Sequence, residues 1–356
     1  MRLSYILMTL FPTRNHRRQT AIRFIEPLEQ RQLLAGDVRF AVIGDFGANT
    51  TPEGDVANRI KSWNPDLILT VGDNNYQLGA ASTIDANIGK YYHDFIYPYK
   101  GTFGAGSADG VNHFFPTLGN HEWMTPNAQP HLDYFTLPGN ERYYTFRQGA
   151  VQFFAIDADP HEPDLGFVNE TTSTANSIEG QWLKNALAAS TAPFNIVYFH
   201  QPAFSSGATH GSAPWMQWPF EQWGADAVLT GHEHNYERLN IGNIPYFVNG
   251  LGGAENVYTT FRNPPLAGSA VRFSSDFGAM LVDANDTTAT FQFITRAGSA
   301  IDSFTLAPGT LTPAAPGHLA ATPISSTQVQ LNWRDQSSNE SAFEIWRSSD
   351  NVNFTP

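Results

Sequence analysis

From Val38 onward the chain is built from short apolar runs, each ending in a polar, glycine-rich motif: VRFAVIGD, DLILTVGD, HFFPTLGNH, FNIVYFH and DAVLTGHEH. Continuous apolar runs of this length read as strands buried on both faces, with their C-terminal ends feeding loops that carry function. Helical periodicity separates some of them. Residues 54–63 fit a helix, as do 177–190, where Trp182, Leu183, Ala186 and Leu187 recur on one face. Alternating stretches predict hairpins over 142–157, turning at Gln148 and Gly149, and over 277–295, turning near Asn285 and Asp286. Strand–helix alternation mixed with antiparallel hairpins predicts a two-sheet α/β sandwich flanked by helices.

The pattern changes twice. APGTLTPAAPG (307–317) is a Pro/Gly linker. Beyond it, 318–356 alternates in strand fashion with Val329, Leu331 and Trp333 on one face. It resembles the opening strands of a fibronectin type III module, of which about 40 of ~100 residues are present. At the other end, residues 1–36 place an apolar MRLSYILMTLF before a basic RNHRR, the reverse of an ordinary signal peptide. EPLEQRQLLA resembles a leader of some large exported bacterial proteins, so an exported or cell-surface location is expected. The expected organisation is a leader or disordered segment over 1–36, a catalytic domain over 37–306, a linker over 307–317 and a partial fibronectin-like module over 318–356.

Composition narrows the chemistry. The 356 residues include no cysteine, which excludes disulfides, thiolate nucleophiles and Cys-ligated metal. A formal net charge of −13 argues against nucleic acid as a stable partner. No apolar run approaches the ~18 residues of a membrane span.

Five strand-end motifs remain: Gly44-Asp45-Phe46-Gly47, Gly72-Asp73-Asn74-Asn75-Tyr76, Gly119-Asn120-His121-Glu122, His200, and Gly231-His232-Glu233-His234. They bring two carboxylates, a phenol, an amide and several imidazoles to what the pattern predicts are neighbouring loops of one sheet. This is a set of N and O donors suited to hard or borderline cations. His232 and His234, two apart in an extended segment, point to the same side and can reach two adjacent metals.

This ordered set resembles the calcineurin-like metallophosphoesterases over residues 38–296, and implies their four-layer α/β/β/α sandwich. Most of that superfamily has His two residues after the first Asp. Here that position is Gly47, and Tyr76 fills the vacancy, which is the pattern of the purple acid phosphatases. A phenolate ligand demands a strongly polarising ion, with ferric iron the natural candidate. The resemblance implies Asp45, Tyr76 and His234 on Fe(III), Asn120, His200 and His232 on a divalent Fe, Zn or Mn, and Asp73 bridging the binuclear centre. It further implies hydrolysis of a phosphate monoester by metal-bound hydroxide, with His121 assisting the leaving group, His210 as a second catalytic histidine and Glu122 orienting its neighbours. Two alternatives stand beside it: a calcineurin-like phosphodiesterase or nucleotidase with Mn or Zn, and a cell-surface binding module with a structural metal site. His93, His113, His131 and His161 are expected to be surface or packing residues, Arg238 a structural ion-pair former, and Trp215, Trp218 and Trp223 a packed cluster.

Overall fold

The computed structural model describes residues 5–9, 36–254, 256–307, 317–325, 328–334 and 344–348. The chain divides into two compact units, Ala35–Pro308 and a second formed by Met1–Leu34 with Gly309–Pro356. Among the described residues no helix is long and apolar enough to cross a membrane.

The apolar runs of the larger unit form the expected strands. Val38–Ile43 (β1), Leu67–Thr70 (β2) and Phe114–Pro116 (β3) pair in parallel. Tyr144–Gln148 (β4) and Val151–Ala155 (β5) are the predicted first hairpin. Phe194–Tyr198 (β6) and Ala227–Thr230 (β7) follow, then Tyr236–Ile241 (β8), Ile244–Asn249 (β9) and Ser269–Phe273 (β10). Gly278–Ala284 (β11) and Ala289–Thr295 (β12) are the second predicted hairpin, and Ala300–Leu306 (β13) closes the unit. One sheet has the order β13-β12-β11-β1-β2-β3, the other β10-β8-β9-β7-β6-β5-β4.

The inner faces of the sheets meet through aromatic pairs. Phe40 meets Phe153 edge-on at 5.0 Å, Tyr236 stacks on Phe293 at 4.3 Å and Phe247 on Phe291 at 5.0 Å. Such pairs contribute about 0.5–1.5 kcal/mol each beyond the area they bury.

The two long helices have clear local causes. Thr51–Ser62 (α1) starts three residues before the predicted 54, because Thr50 caps it by accepting from Glu53 N at 3.2 Å and Pro52 is tolerated in the first turn. It buries Val56, Ala57 and Ile60. Ile178–Ala188 (α2) is capped by Ser177 Oγ, which accepts from Gly180 N at 3.0 Å, and it buries Leu183 and Leu187. With the two sheets they give the expected α/β/β/α architecture.

One expectation is corrected. The five motifs do not share a sheet: the loops after β1, β2 and β3 leave one sheet, and those after β6 and β7 leave the other. Parallel pairing within each sheet gives these five strands the same polarity within their sheet, so the motif-bearing ends can converge from two layers.

Two of these loops run side by side past the strand ends. Asp45 N donates to Gly72 O at 3.1 Å, Phe46 N to Asp73 O at 3.3 Å, and Tyr76 N to Gly47 O at 2.6 Å. The approach is close enough that a Cβ on Gly47 would lie 1.6 Å from Asn74 O. Gly47 therefore does more than lack a ligand, because its missing side chain is the space through which the Asp73–Tyr76 loop passes.

In the second unit, Gly317–Pro323 pairs antiparallel with Val329–Arg334, and Tyr5–Thr9 with Glu344–Ser348. These strands fit the expected all-β character of the C-terminal segment. Residues 1–4 and 10–35 of the expected leader, and 308–316 of the expected linker, lie outside the described residues.

Because Asn74 O cannot retreat without breaking the Tyr76–Gly47 hydrogen bond, Gly47→Ala is expected to destabilise the larger unit by about 1–3 kcal/mol, the usual range for overpacking. Thermal unfolding checks the stability. The same variant should also lower bound metal, since the displaced loop carries Asp73 and Tyr76.

Candidate metal centre

Three of the site residues sit in backbone conformations that L-residues rarely adopt: Asp45 (φ 55°), Asp73 (φ 51°) and His232 (φ 70°). Such strain persists where the surroundings over-determine it. Asp45 is fixed by His232 N, 2.9 Å from its Oδ2, and Asp73 Oδ1 accepts from His121 N at 3.0 Å. Gly72, at φ 86°, supplies the turn before Asp73, and a Cβ there would lie 2.5 Å from His200 Nδ1.

The side chains fall into two groups that share one atom. In the first, the Tyr76 hydroxyl lies 3.3 Å from Asp45 Oδ1, 3.0 Å from Asp73 Oδ2 and 3.1 Å from His234 Nε2. In the second, His200 Nε2 lies 3.2 Å from Asp73 Oδ2, 3.1 Å from Asn120 Oδ1 and 3.1 Å from His232 Nδ1. Asp73 Oδ2 belongs to both. His232 and His234 divide between the groups as their spacing predicts, one using Nδ1 and the other Nε2.

The tautomers suit ligation. His200 Nδ1–H donates to Val71 O and His234 Nδ1–H to Asn256 O, each at 2.7 Å, which directs both Nε2 lone pairs inward. The result is a buried set of N and O donor atoms gathered around Asp73 Oδ2, which accepts from the Tyr76 hydroxyl, and its two carboxylates favour positive charge among them. The same field acts on the ionisable groups. Burial works against the Asp73 carboxylate, yet His200, His121 and His232 hold it well below the usual range. His200 is pushed up to about 10 by Asp73 and Asp45 in spite of burial. Burial, then Asp73 and Asp45, push the Tyr76 phenol well above its ordinary value. Asp73, His200 and His232 by themselves form a group able to hold a metal ion. The donor set fits a cation in each group.

The two expected catalytic histidines flank the groups. His121 packs against Tyr76, ring centroids 4.3 Å apart, with its Nε2 3.7 Å from Asp73 Oδ2. Its Nδ1–H donates to Gln77 O at 2.5 Å. His210 lies over His232 at 4.1 Å, and its backbone N–H donates to Glu233 Oε1 at 2.6 Å. Burial first, then His234 and His200, overcome nearby carboxylates and lower the His210 imidazole.

Buried glutamates hold the loops. Glu122, as expected, accepts from Asn74 N at 2.9 Å, Asn75 N at 3.0 Å and Gly119 N at 2.8 Å, fastening the Asp73 loop to the Asn120 loop. Burial and the Asp73 charge push its carboxyl up to about 8. Three elements escaped the sequence reading. Glu53 accepts from Ala48 N and Asn49 N behind Asp45. Glu233, the spacer of the His232/His234 motif, ties that motif to the His210 loop through His210 N and Gly211 N. Tyr258 stacks on His234 at 4.2 Å, and its N–H donates to His234 O at 2.8 Å. An isolated Tyr in a loop without a motif gives no sequence signal.

The remaining expectations concern packing. Arg238 forms a bidentate pair with Asp302 at 2.6 and 3.2 Å, beside Tyr236. Trp218 is buried against Trp223, and Trp215 donates to Ala158 O. His93, His113 and His161 contact Gly89, Asp109 and Asp159. His131 is buried, and burial pushes it down to about 3.

Comparison with known proteins agrees with this geometry. The model of the calcineurin-like phosphoesterase family matches residues 38–236, more than half of the chain. Purple acid phosphatase 15 of Arabidopsis thaliana is 28% identical over 233 residues, covering 57% of this chain and 41% of the relative, so the chain spans about two fifths of that relative's length. Human tartrate-resistant acid phosphatase type 5 is 24% identical, covering 60% of this chain and 73% of the relative. The solved purple acid phosphatase PPD1 from yellow lupin superposes with a TM-score of 0.58 at 15% identity, covering 82% of this chain and 58% of that one. GAP50 of Plasmodium gives the same TM-score at 19% identity, covering 77% and 89%. The structural likenesses show the fold, and the family match, which takes in all five strand-end motifs, establishes that the chain belongs to the calcineurin-like phosphoesterase family.

Proposed function

We propose that the chain is a binuclear metal-dependent phosphatase of purple acid phosphatase type that hydrolyses phosphate monoesters. The observation that carries this reading is the sharing of Asp73 Oδ2 between two otherwise separate donor groups. Asp45, Tyr76, His234 and Asp73 would hold a trivalent iron. Asn120, His200, His232 and Asp73 would hold a divalent Fe, Zn or Mn. When bound, the cations supply Lewis acidity toward phosphoryl oxygens and lower the pKa of water. The neutral amide of Asn120 leaves the second ion more electrophilic than a carboxylate would.

The chain's own residues do the rest. His121 and His210, on opposite flanks, offer hydrogen bonds to phosphate oxygens. With Nδ1–H held by Gln77 O, His121 keeps Nε2 as its exchangeable position, the nitrogen that delivers a proton to the departing alkoxide. Gly47 and Tyr76 weigh against the Mn or Zn phosphodiesterase alternative, because the space a His at 47 would use is filled by the Asn74 backbone. The unit Ala35–Pro308 carries every residue this reading uses.

Two experiments test it. Protein loaded with iron is expected to absorb in the visible through a ferric–phenolate transition, and Tyr76→Phe should abolish that band. A colourless protein with full turnover as a Mn or Zn enzyme would overturn the iron assignment.

Asn120→Ala should lower metal content and turnover together. His121→Ala should keep both metals and lose about 10²–10⁴ in rate on alkyl monoesters, and less on an activated aryl ester whose leaving group needs little protonation. Metal analysis with turnover on the two esters decides this, and metal loss in His121→Ala would reject the division of roles.

A further inference from the structure

The two flanks of the site differ in chemistry. On the His210 side the loop reads Ser205-Ser206-Gly207-Ala208-Thr209, with both serines buried, and the half-buried Tyr258 lies 5.5 Å from His210. On the His121 side stand Leu78, Trp123 and Met124. Leu78 is 60% exposed and Met124 53% exposed, although the unit has a large core that takes up most of its apolar side chains.

Both belong to segments that touch His121. Residues 77–79 lie on the His121–Glu122 turn: Gln77 O accepts from His121 Nδ1, and a Cβ on Gly79 would fall 2.5 Å from His121 O. Met124 N donates to His121 O at 3.4 Å. Trp123, between them in sequence, is held by its indole N–H, which donates to buried Asp157 Oδ2 at 2.9 Å. An exposed apolar group beside a polar catalytic cluster marks a place where an apolar part of a ligand is covered.

We propose that Leu78, Trp123 and Met124 form the leaving-group wall of the cleft, and that the chain prefers phosphate monoesters of apolar alcohols to those of sugars or nucleosides. The inference rests on the phosphatase reading, since it places the departing alcohol beside His121, where the proton is delivered. On the opposite flank the Tyr258 ring, 5.5 Å from His210, is half-buried and already stacked on His234, so the exposed aliphatic side chains that gain by covering hydrocarbon stand on the His121 side.

The test uses the metal-loaded full chain and a series of n-alkylphosphonates from methyl to octyl, which bind without being hydrolysed. Calorimetry reads affinity against chain length. Affinity is expected to rise about two- to fourfold per methylene over the first few carbons, fourfold being the value for a fully buried CH₂. The double substitution Leu78→Ser with Met124→Ser, at two exposed positions where folding does not depend on burial, should remove most of that increment. A flat series in the native chain, an unchanged slope in the double variant, or no binding of any member would overturn the proposal. Phosphate release from the matching n-alkyl phosphates, whose leaving groups hardly differ in basicity, scores the catalytic reading separately. A retained affinity slope with no phosphate release would leave the apolar wall standing and reject the phosphatase.

Discussion

Four buried glutamates, Glu53, Glu122, Glu233 and Glu237, each accept backbone N–H groups from loops that no β-ladder holds together. Each fastens segments that belong to one sheet, while the loops of the two sheets are tied to each other by His232 N, which donates to Asp45 Oδ2 at 2.9 Å, and by His200 Nδ1–H, which donates to Val71 O at 2.7 Å. A carboxylate with several lone-pair positions can satisfy amides on two segments at once, as Glu122 does for Asn74, Asn75 and Gly119. The directionality of these hydrogen bonds limits how far each loop can drift. The strained φ angles of Asp45, Asp73 and His232 are tolerable only because these fastenings, with the ladder of Asp45, Phe46 and Tyr76 amides, leave the chain little alternative.

The clustered donor residues were legible in the sequence because each stands at the end of an apolar run, and an apolar run with a polar terminus is the signature of a buried parallel strand. That logic places a residue at a strand end without saying which sheet the strand joins. Sheet assignment depends on crossover connections and on which antiparallel hairpins attach where, so β6 and β7 were expected beside β1 and β2 and instead belong to the other layer. Helix α1 shows a smaller gap of the same kind, since its apolar periodicity begins at Val56 whereas the cap that starts it is the polar Thr50. Glu233 and Glu237 were illegible for a different reason. Their partners, the amides of His210, Gly211 and Ser206, lie more than twenty residues away, and backbone amides carry no residue-type signature.

Both flanking histidines are placed by contact with a member of the donor groups as well as by their own loops. His121 lies against Tyr76 and His210 against His232, so each group of donors has an imidazole on its outer side. The anchoring differs. His121 is fixed by its Nδ1 to Gln77 O and by a backbone bond to Asp73, which ties it to the shared carboxylate. His210 is fixed through its main chain to Glu233 and is exposed, with a ring position set chiefly by stacking. A proton donor needs a defined direction, whereas a hydrogen-bond donor to phosphate oxygens needs chiefly proximity. The tighter anchoring of His121 suits the proton-donor role proposed for it, and the looser placement of His210 suits its proposed contact with phosphate oxygens.

Gly47 and Tyr76 are separated in sequence yet form one feature. The Tyr76 amide reaches Gly47 O at 2.6 Å only because the intervening Asn74 carbonyl occupies the volume that a side chain at 47 would take. With that hydrogen bond made, the Tyr76 side chain enters the site from the Asp73 loop and brings its hydroxyl to 3.3 Å from Asp45 Oδ1 and 3.1 Å from His234 Nε2. A histidine at 47 would have to push the Asp73 loop away, and Asp73 is the one residue both donor groups share. Exchanging the phenol for an imidazole at position 47 is therefore no single-site change in this backbone, because it displaces the carboxylate on which both halves of the centre depend.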